Sequence, residues 1–92
     1  TDQLIGHLVD LTTEGIMLIS EDSIELNQQY ELRLNLPEEI ENSRELRFTA
    51  EAMWAKPDVN PEFHDTGFKF IEISPRHLEI IRILIEDFSF QD

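Results

Sequence analysis

The sequence predicts a mainly β domain, with five mostly hairpin-connected strands forming an antiparallel barrel or sandwich and one C-terminal helix. Three observations predict it. Short runs of alternating or continuous apolar residues follow one another, with turn residues between them. No stretch alternates strand with helix, which argues against a parallel sheet. The one segment with helical spacing comes last, behind Ser74-Pro75. Ninety-two residues make a single domain with a modest core, 40% of the chain being aliphatic or aromatic.

Taken in order, residues 3–11 carry Leu4, Leu8, Val9 and Leu11 and read as a strand, with Gly6 as a bulge or point of close approach. Residues 12–15 form a turn in which Gly15 supplies a backbone φ that other residues resist. Residues 16–20, Ile-Met-Leu-Ile-Ser, are a continuous apolar run of buried-strand length. Residues 21–28 are a polar loop from which Ile24 and Leu26 tuck inward. Residues 29–36 alternate, with Tyr30, Leu32, Leu34 and Leu36 on one face, and Pro37 ends the strand. A charged loop, Glu38 to Ser43, leads to a second alternating run over 44–56, where Leu46, Phe48, Ala50, Ala52 and Trp54 share a face. Pro57 and Pro61 flank the next loop, and residues 64–73 make a fifth strand.

Ser74 is an N-cap hydroxyl and Pro75 suits the first helical position, so the helix starts there and runs to about Phe88. Leu78, Ile81, Leu84, Ile85 and Phe88 form its apolar stripe, and Ile80 and Ile83 widen it. The extra width fits either a helix set deeply into its own barrel or one that also meets a second partner, such as another copy of the chain.

Charge and composition exclude several classes. Seven Lys/Arg against 20 Asp/Glu give a net charge of −13. Nucleic acid polymers and anionic lipids are bound mainly through Lys and Arg, and no basic stripe interleaved with aromatics is present. With no cysteine, disulfides and thiolate metal sites are excluded. No apolar run approaches the roughly 20 residues of a membrane span, and no signal peptide is visible. A chain that opens on Thr1 reads as a piece of a longer protein.

Candidate chemistry is sparse. His7, His64 and His77 fall on different elements without metal-ligand spacing. His64-Asp65 is a lone pair with no further ligand in pattern. No serine sits in a Gly-x-Ser-x-Gly context, and three glycines provide no phosphate-cradling loop. The sequence therefore predicts a binding domain without catalytic residues, metal or cofactor. The remaining candidate is the turn Asp10-Leu11-Thr12-Thr13-Glu14-Gly15 between two strands. By itself such a turn requires no function, because Asp and Thr cap turns and Gly closes them in many β-proteins.

Its context gives the turn meaning. Asp-x-(Ser/Thr)-x-x-Gly is followed by the strand Gly15–Ser20, an alternating strand that ends in Leu36-Pro37, and a long strand with Trp54 near its end. Gly67-Phe68-Lys69-Phe70 and the helix complete the order. This order, over nearly the whole chain, resembles the PilZ family, bacterial receptor domains for cyclic di-GMP. The resemblance implies a PilZ-like antiparallel barrel, a cytoplasmic bacterial location, and a signalling role in an output such as motility, polysaccharide or secretion control.

The resemblance also implies ligand-binding roles for Asp10, Thr12 and Gly15. Asp10 accepts from guanine N–H groups, and Thr12, where the family more often carries Ser, donates or accepts through its hydroxyl. Gly15 keeps the turn geometry and permits close approach. The family's other signature, Arg-x-x-x-Arg, which clamps phosphates and stacks on guanine, does not occur in residues 1–92. The resemblance places it upstream of Thr1, together with the first barrel strand, so the chain reads as one PilZ-like domain lacking that strand. Two arginines making charged hydrogen bonds of about 1.5–3 kcal/mol each correspond to roughly 10²–10⁴ in affinity. Arg44 and Arg47 are three apart on opposite strand faces and are poor substitutes. The alternative is a degenerate domain that binds no nucleotide and serves as a protein–protein interaction module. In either case an open strand edge or the C-terminal helix offers a route to a homo-oligomer.

Overall fold

The computed structural model describes residues 3–88. Its elements are β1 (His7–Leu11), β2 (Gly15–Ser20), β3 (Gln29–Ile40), β4 (Ser43–Pro57), β5 (His64–Glu72) and α1 (Pro75–Phe88). All strand pairings are antiparallel, in the order β1-β2-β5-β4-β3. The sheet curls into a half-barrel, and α1 packs into its concave side.

Alternation explains the core. Ile16 and Leu18 of β2, Phe68 of β5, and Leu46, Phe48, Ala50 and Ala52 of β4 are buried on the inner face. Tyr30, Leu32 and Leu34 of β3 pack against them. Edge-to-face ring contacts join Tyr30 to Phe68 at 6.0 Å and Phe48 to Phe70 at 4.9 Å. Ile24 and Leu26 tuck in as expected.

The helix begins where the sequence places it. Ser74 Oγ accepts from the His77 N–H at 3.2 Å, and the Leu78 N–H donates to the Ser74 carbonyl at 2.9 Å. The helix start docks on β4 through His77 Nδ1, which lies 3.1 Å from the Arg47 carbonyl oxygen. Ile80, Ile81 and Leu84 are buried, and Ile83 packs against the core. The extra apolar width is thus taken up within the chain. The side chain of Phe88, and residues 1–2 and 89–92, lie outside the described residues.

Three local readings are corrected. Pro37 does not end β3, which continues to Ile40 through an irregular stretch after Asn35. An edge strand tolerates this, because the missing N–H faces no partner. The expected loop over 38–43 is instead a tight hairpin at Glu41-Asn42, with φ of 52° and 64°. Finally, Gly15 has no positive φ. Its need is for space, since a Cβ there would lie 1.9 Å from the Phe68 carbonyl oxygen on β5.

Among the described residues, β1 and β3 are the sheet edges and do not pair with each other. A cleft of about 910 Å³ opens there, lined by residues 3–6 and by Tyr30 to Asn35. No helix among the described residues is long and apolar enough to cross a membrane.

Candidate functional site

Two β-bulges decide which side chains share the outer face of the sheet. In β1, Leu8 lies opposite Leu18 and Leu11 opposite Ile16, so one of the two residues between them is extra. Val9 is that residue, and Asp10 lies opposite Met17 on the outer face. In β4, Ala52 lies opposite Phe68 and Trp54 opposite Gly67, which makes Met53 the extra residue. Strict alternation would have turned both Asp10 and Trp54 into the core. Bulges re-aim side chains in this way.

Met17 lies opposite Gly67. A single row therefore crosses four strands on the outer face: Asp10, Met17, Gly67, Trp54. The sequence reading of Trp54 as a core residue is corrected, for it is 43% exposed. Its indole lies directly over Gly67, where a Cβ would come within 2.2 Å of the ring. Three strand spacings put Asp10 and Trp54 roughly 14 Å apart along the row. One end of the row carries a carboxylate acceptor and the other an exposed aromatic plane.

Local hydrogen bonds hold the Asp10 end. Asp10 Oδ1 accepts from the Leu11 N–H at 2.9 Å, which leaves Oδ2 for another donor. The Thr12 hydroxyl accepts from the Glu14 and Gly15 N–H groups at 3.1 and 3.2 Å. The Thr12 N–H donates to the Gly15 carbonyl at 2.9 Å. Thr12 thus shapes the turn. The turn is tied to β5 by the Phe70 N–H, which donates to the Glu14 carbonyl at 2.9 Å. Gly15 fits closely against β5, so the structure brings Asp10, Thr12 and Gly15 together at one end of the row. Trp54 is the residue the sequence reading missed. Gly67 was the available signal, because a glycine inside a strand marks a bulge or a close approach.

The neighbouring row reads His7, Ile19, Asp65, Lys56. Lys56 Nζ lies 5.8 Å from the Trp54 ring centroid. Asp65 is only 7% exposed. Burial, and then its hydrogen bond to Asp58, raise its pKa above the ordinary 3.8. For Asp58 the backbone N–H of Asn60, 3.0 Å away, is the main cause of a lowered pKa. The signs oppose. Asp58 favours the fold above its ordinary pKa, and that contribution is lost as pH falls. Asp65 binds its proton more tightly folded than unfolded, so its contribution favours the fold at acid pH and is lost as pH rises. Asp65→Asn, which keeps a donor toward Asp58 and removes the buried charge, is expected to raise the melting temperature at neutral pH. The gain should shrink as pH falls toward the carboxylate range, in melts recorded across pH.

Neither this cleft of about 910 Å³ nor a second of about 570 Å³ is lined by Asp10, Thr12, Gly15 or Trp54. The row lies on the outer face of the sheet, where Trp54 is exposed, Asp10 and Met17 are half-buried and Gly67 is covered by the indole. Among the described residues no cluster of His, Asp and Glu is arranged to hold a metal ion. A family model described as the PilZ domain matches residues 1–90. No curated protein and no solved structure matches the chain.

Proposed function

The chain belongs to the PilZ domain family, and from that premise we propose that it is a receptor domain for cyclic di-GMP that regulates a bacterial output system from the cytoplasm. The observation that carries the reading is the pair of bulges that bring Asp10 and Trp54 onto one outer row. Asp10 Oδ2 accepts from the N–H groups of one guanine, and the exposed indole of Trp54 stacks on the other. Stacking of a base on an aromatic side chain is worth about 1–3 kcal/mol. With the indole over Gly67, two strand spacings or roughly 10 Å from Asp10 along the row, the arrangement suits two bases joined through a phosphodiester ring better than a single base. The function is recognition, and no bond-making step is assigned to it.

Calorimetric titration with cyclic di-GMP tests this. Binding that Asp10→Ala weakens by roughly 10–100-fold is expected, the range for a hydrogen bond to a charged group. Equal binding by the variant, or none by the natural sequence, would contradict the reading.

The second reading, a protein-interaction module, is favoured by one observation: among the described residues the outer edges of β1 and β3 have no strand partner. It requires concentration-dependent association in analytical ultracentrifugation, or capture of an extended peptide, with no response to nucleotide.

A further inference from the structure

The chain has five arginines and two lysines. Among the described residues every arginine is engaged. Arg33 and Arg47 approach Glu45 at 3.8 and 2.6 Å, Arg44 approaches Glu39 at 3.6 Å, and Arg82 approaches Glu79 at 3.6 Å. Arg76 donates to the Glu41 carbonyl at 2.7 Å. Every such ion pair uses an arginine and none uses a lysine.

Both lysines lie beside the Asp10–Trp54 row. Lys69 of β5 lies opposite Gly15 of β2, one outer-face position to one side of Gly67. Lys56 of β4 lies opposite Asp65, one outer-face position to the other side. Along β5 the two registers are four residues apart, or roughly 13 Å, with the Trp54–Gly67 register midway. Neither lysine comes within ion-pair distance of its cross-strand carboxylate, Glu51 or Asp65, among the described residues, while the charge of Lys56 acts at longer range on Asp65 and Asp58, in each case toward a lower pKa. On a chain of net charge −13, the two lysines flank the one aromatic plane exposed among the described residues.

We propose that Lys56 and Lys69 are the phosphate-binding residues of this face, holding the phosphodiesters of a dinucleotide whose bases are recognised by Asp10 and Trp54. The proposal rests on the nucleotide reading above and names the groups that meet its charge within this chain. Each lysine is a flexible point charge with three donors, suited to a phosphate without fixing its orientation. Lys56, at the rim of the indole, meets the phosphate next to the stacked base. Lys69, beside the Gly15 turn, meets the opposite side of the ring.

The experiment is a cyclic di-GMP titration at low and at high salt. It compares the natural sequence, Asp10→Ala, Lys56→Gln/Lys69→Gln, and Arg82→Gln as a control that removes one positive charge on the helix. Melting curves verify that each variant is folded. Exposed ion pairs contribute up to about fivefold each, so the double variant is expected to bind about tenfold more weakly at low salt. Its affinity should also depend less on salt, while Arg82→Gln leaves both unchanged. If the natural sequence binds and Asp10→Ala weakens it, but the double variant binds normally, the lysine assignment is overturned and the nucleotide reading stands. An equal loss in Arg82→Gln also overturns it, because net charge would then account for the effect. Absence of binding by the natural sequence overturns both.

Discussion

Gly15→Ala is expected to lower the melting temperature by about 15 °C or more, corresponding to roughly 3–5 kcal/mol. The added Cβ would lie 1.9 Å from the Phe68 carbonyl oxygen and 3.0 Å from its carbon. Both are backbone atoms of β5, so no side chain can swing away. Relief requires β2 and β5 to part where Gly15 faces Lys69 and Ile16 faces Phe68. That would strain the bond from the Phe70 N–H to the Glu14 carbonyl and unseat Ile16 and Phe68 from the core. Overpacking costs about 1–3 kcal/mol, and lost buried hydrogen bonds add to it. Gly67→Ala is the informative comparison. Its Cβ would come within 2.2 Å of the Trp54 indole, but that ring is half exposed and can move outward. Gly67→Ala should therefore melt close to the natural protein while losing the seat of the indole. Equal melting temperatures for Gly15→Ala and the natural sequence would show that the turn does not press on β5 as described.

Trp54→Ala is expected to weaken cyclic di-GMP binding by about 5–150-fold, the range for loss of one base-stacking contact. Its melting temperature should change little, because the side chain is 43% exposed and lies outside the core. Trp54→Phe should recover part of the affinity, since a smaller ring still offers a plane. Removal of the Lys56 contact at the ring centroid contributes only a minor share at an exposed site. A Trp54→Ala variant that binds as the natural sequence does would remove the indole from the site. One that fails to fold would show that the outer row is structural.

Most of the fold was legible because local rules and tertiary packing agree. The alternation of Tyr30, Leu32 and Leu34, and of Leu46, Phe48, Ala50 and Ala52, gives the inner faces of β3 and β4 directly. Ser74-Pro75 starts the helix without help from packing. Failures came where one strand acquires an extra residue. Alternation assigned Trp54 to the core because it continues the phase from Leu46, but the phase breaks at Met53, where Ala52 faces Phe68 and Trp54 faces Gly67. A bulge depends on the partner strand, so its position is not written in the bulged strand alone. Pro37 misled for a related reason: whether proline interrupts a strand depends on whether that strand is an edge, and edge position is a property of the whole sheet.

The candidate site divides in the same way. Asp10, Thr12 and Gly15 fall within six residues, and the turn that holds them closes through its own hydrogen bonds. A local motif therefore suffices to find them. Trp54 and Lys56 join them only through the order of four strands, with β5 set between β2 and β4. The separation of 44 residues between Asp10 and Trp54 carries no pattern that a reading along the chain would detect. The reason for Gly15 in the turn is room against Phe68 and not a left-handed φ.

Trp54 is the only tryptophan, so its emission reports directly on the face that the nucleotide is proposed to cover. The most direct measurement is a fluorescence titration with cyclic di-GMP on the natural sequence and on Asp10→Ala. Saturable quenching, shifted to roughly 10–100-fold higher ligand by Asp10→Ala, is expected if both ends of the row hold one ligand. Emission that stays unchanged into the millimolar range, or quenching that Asp10→Ala leaves untouched, would contradict the assignment of this row as the nucleotide site.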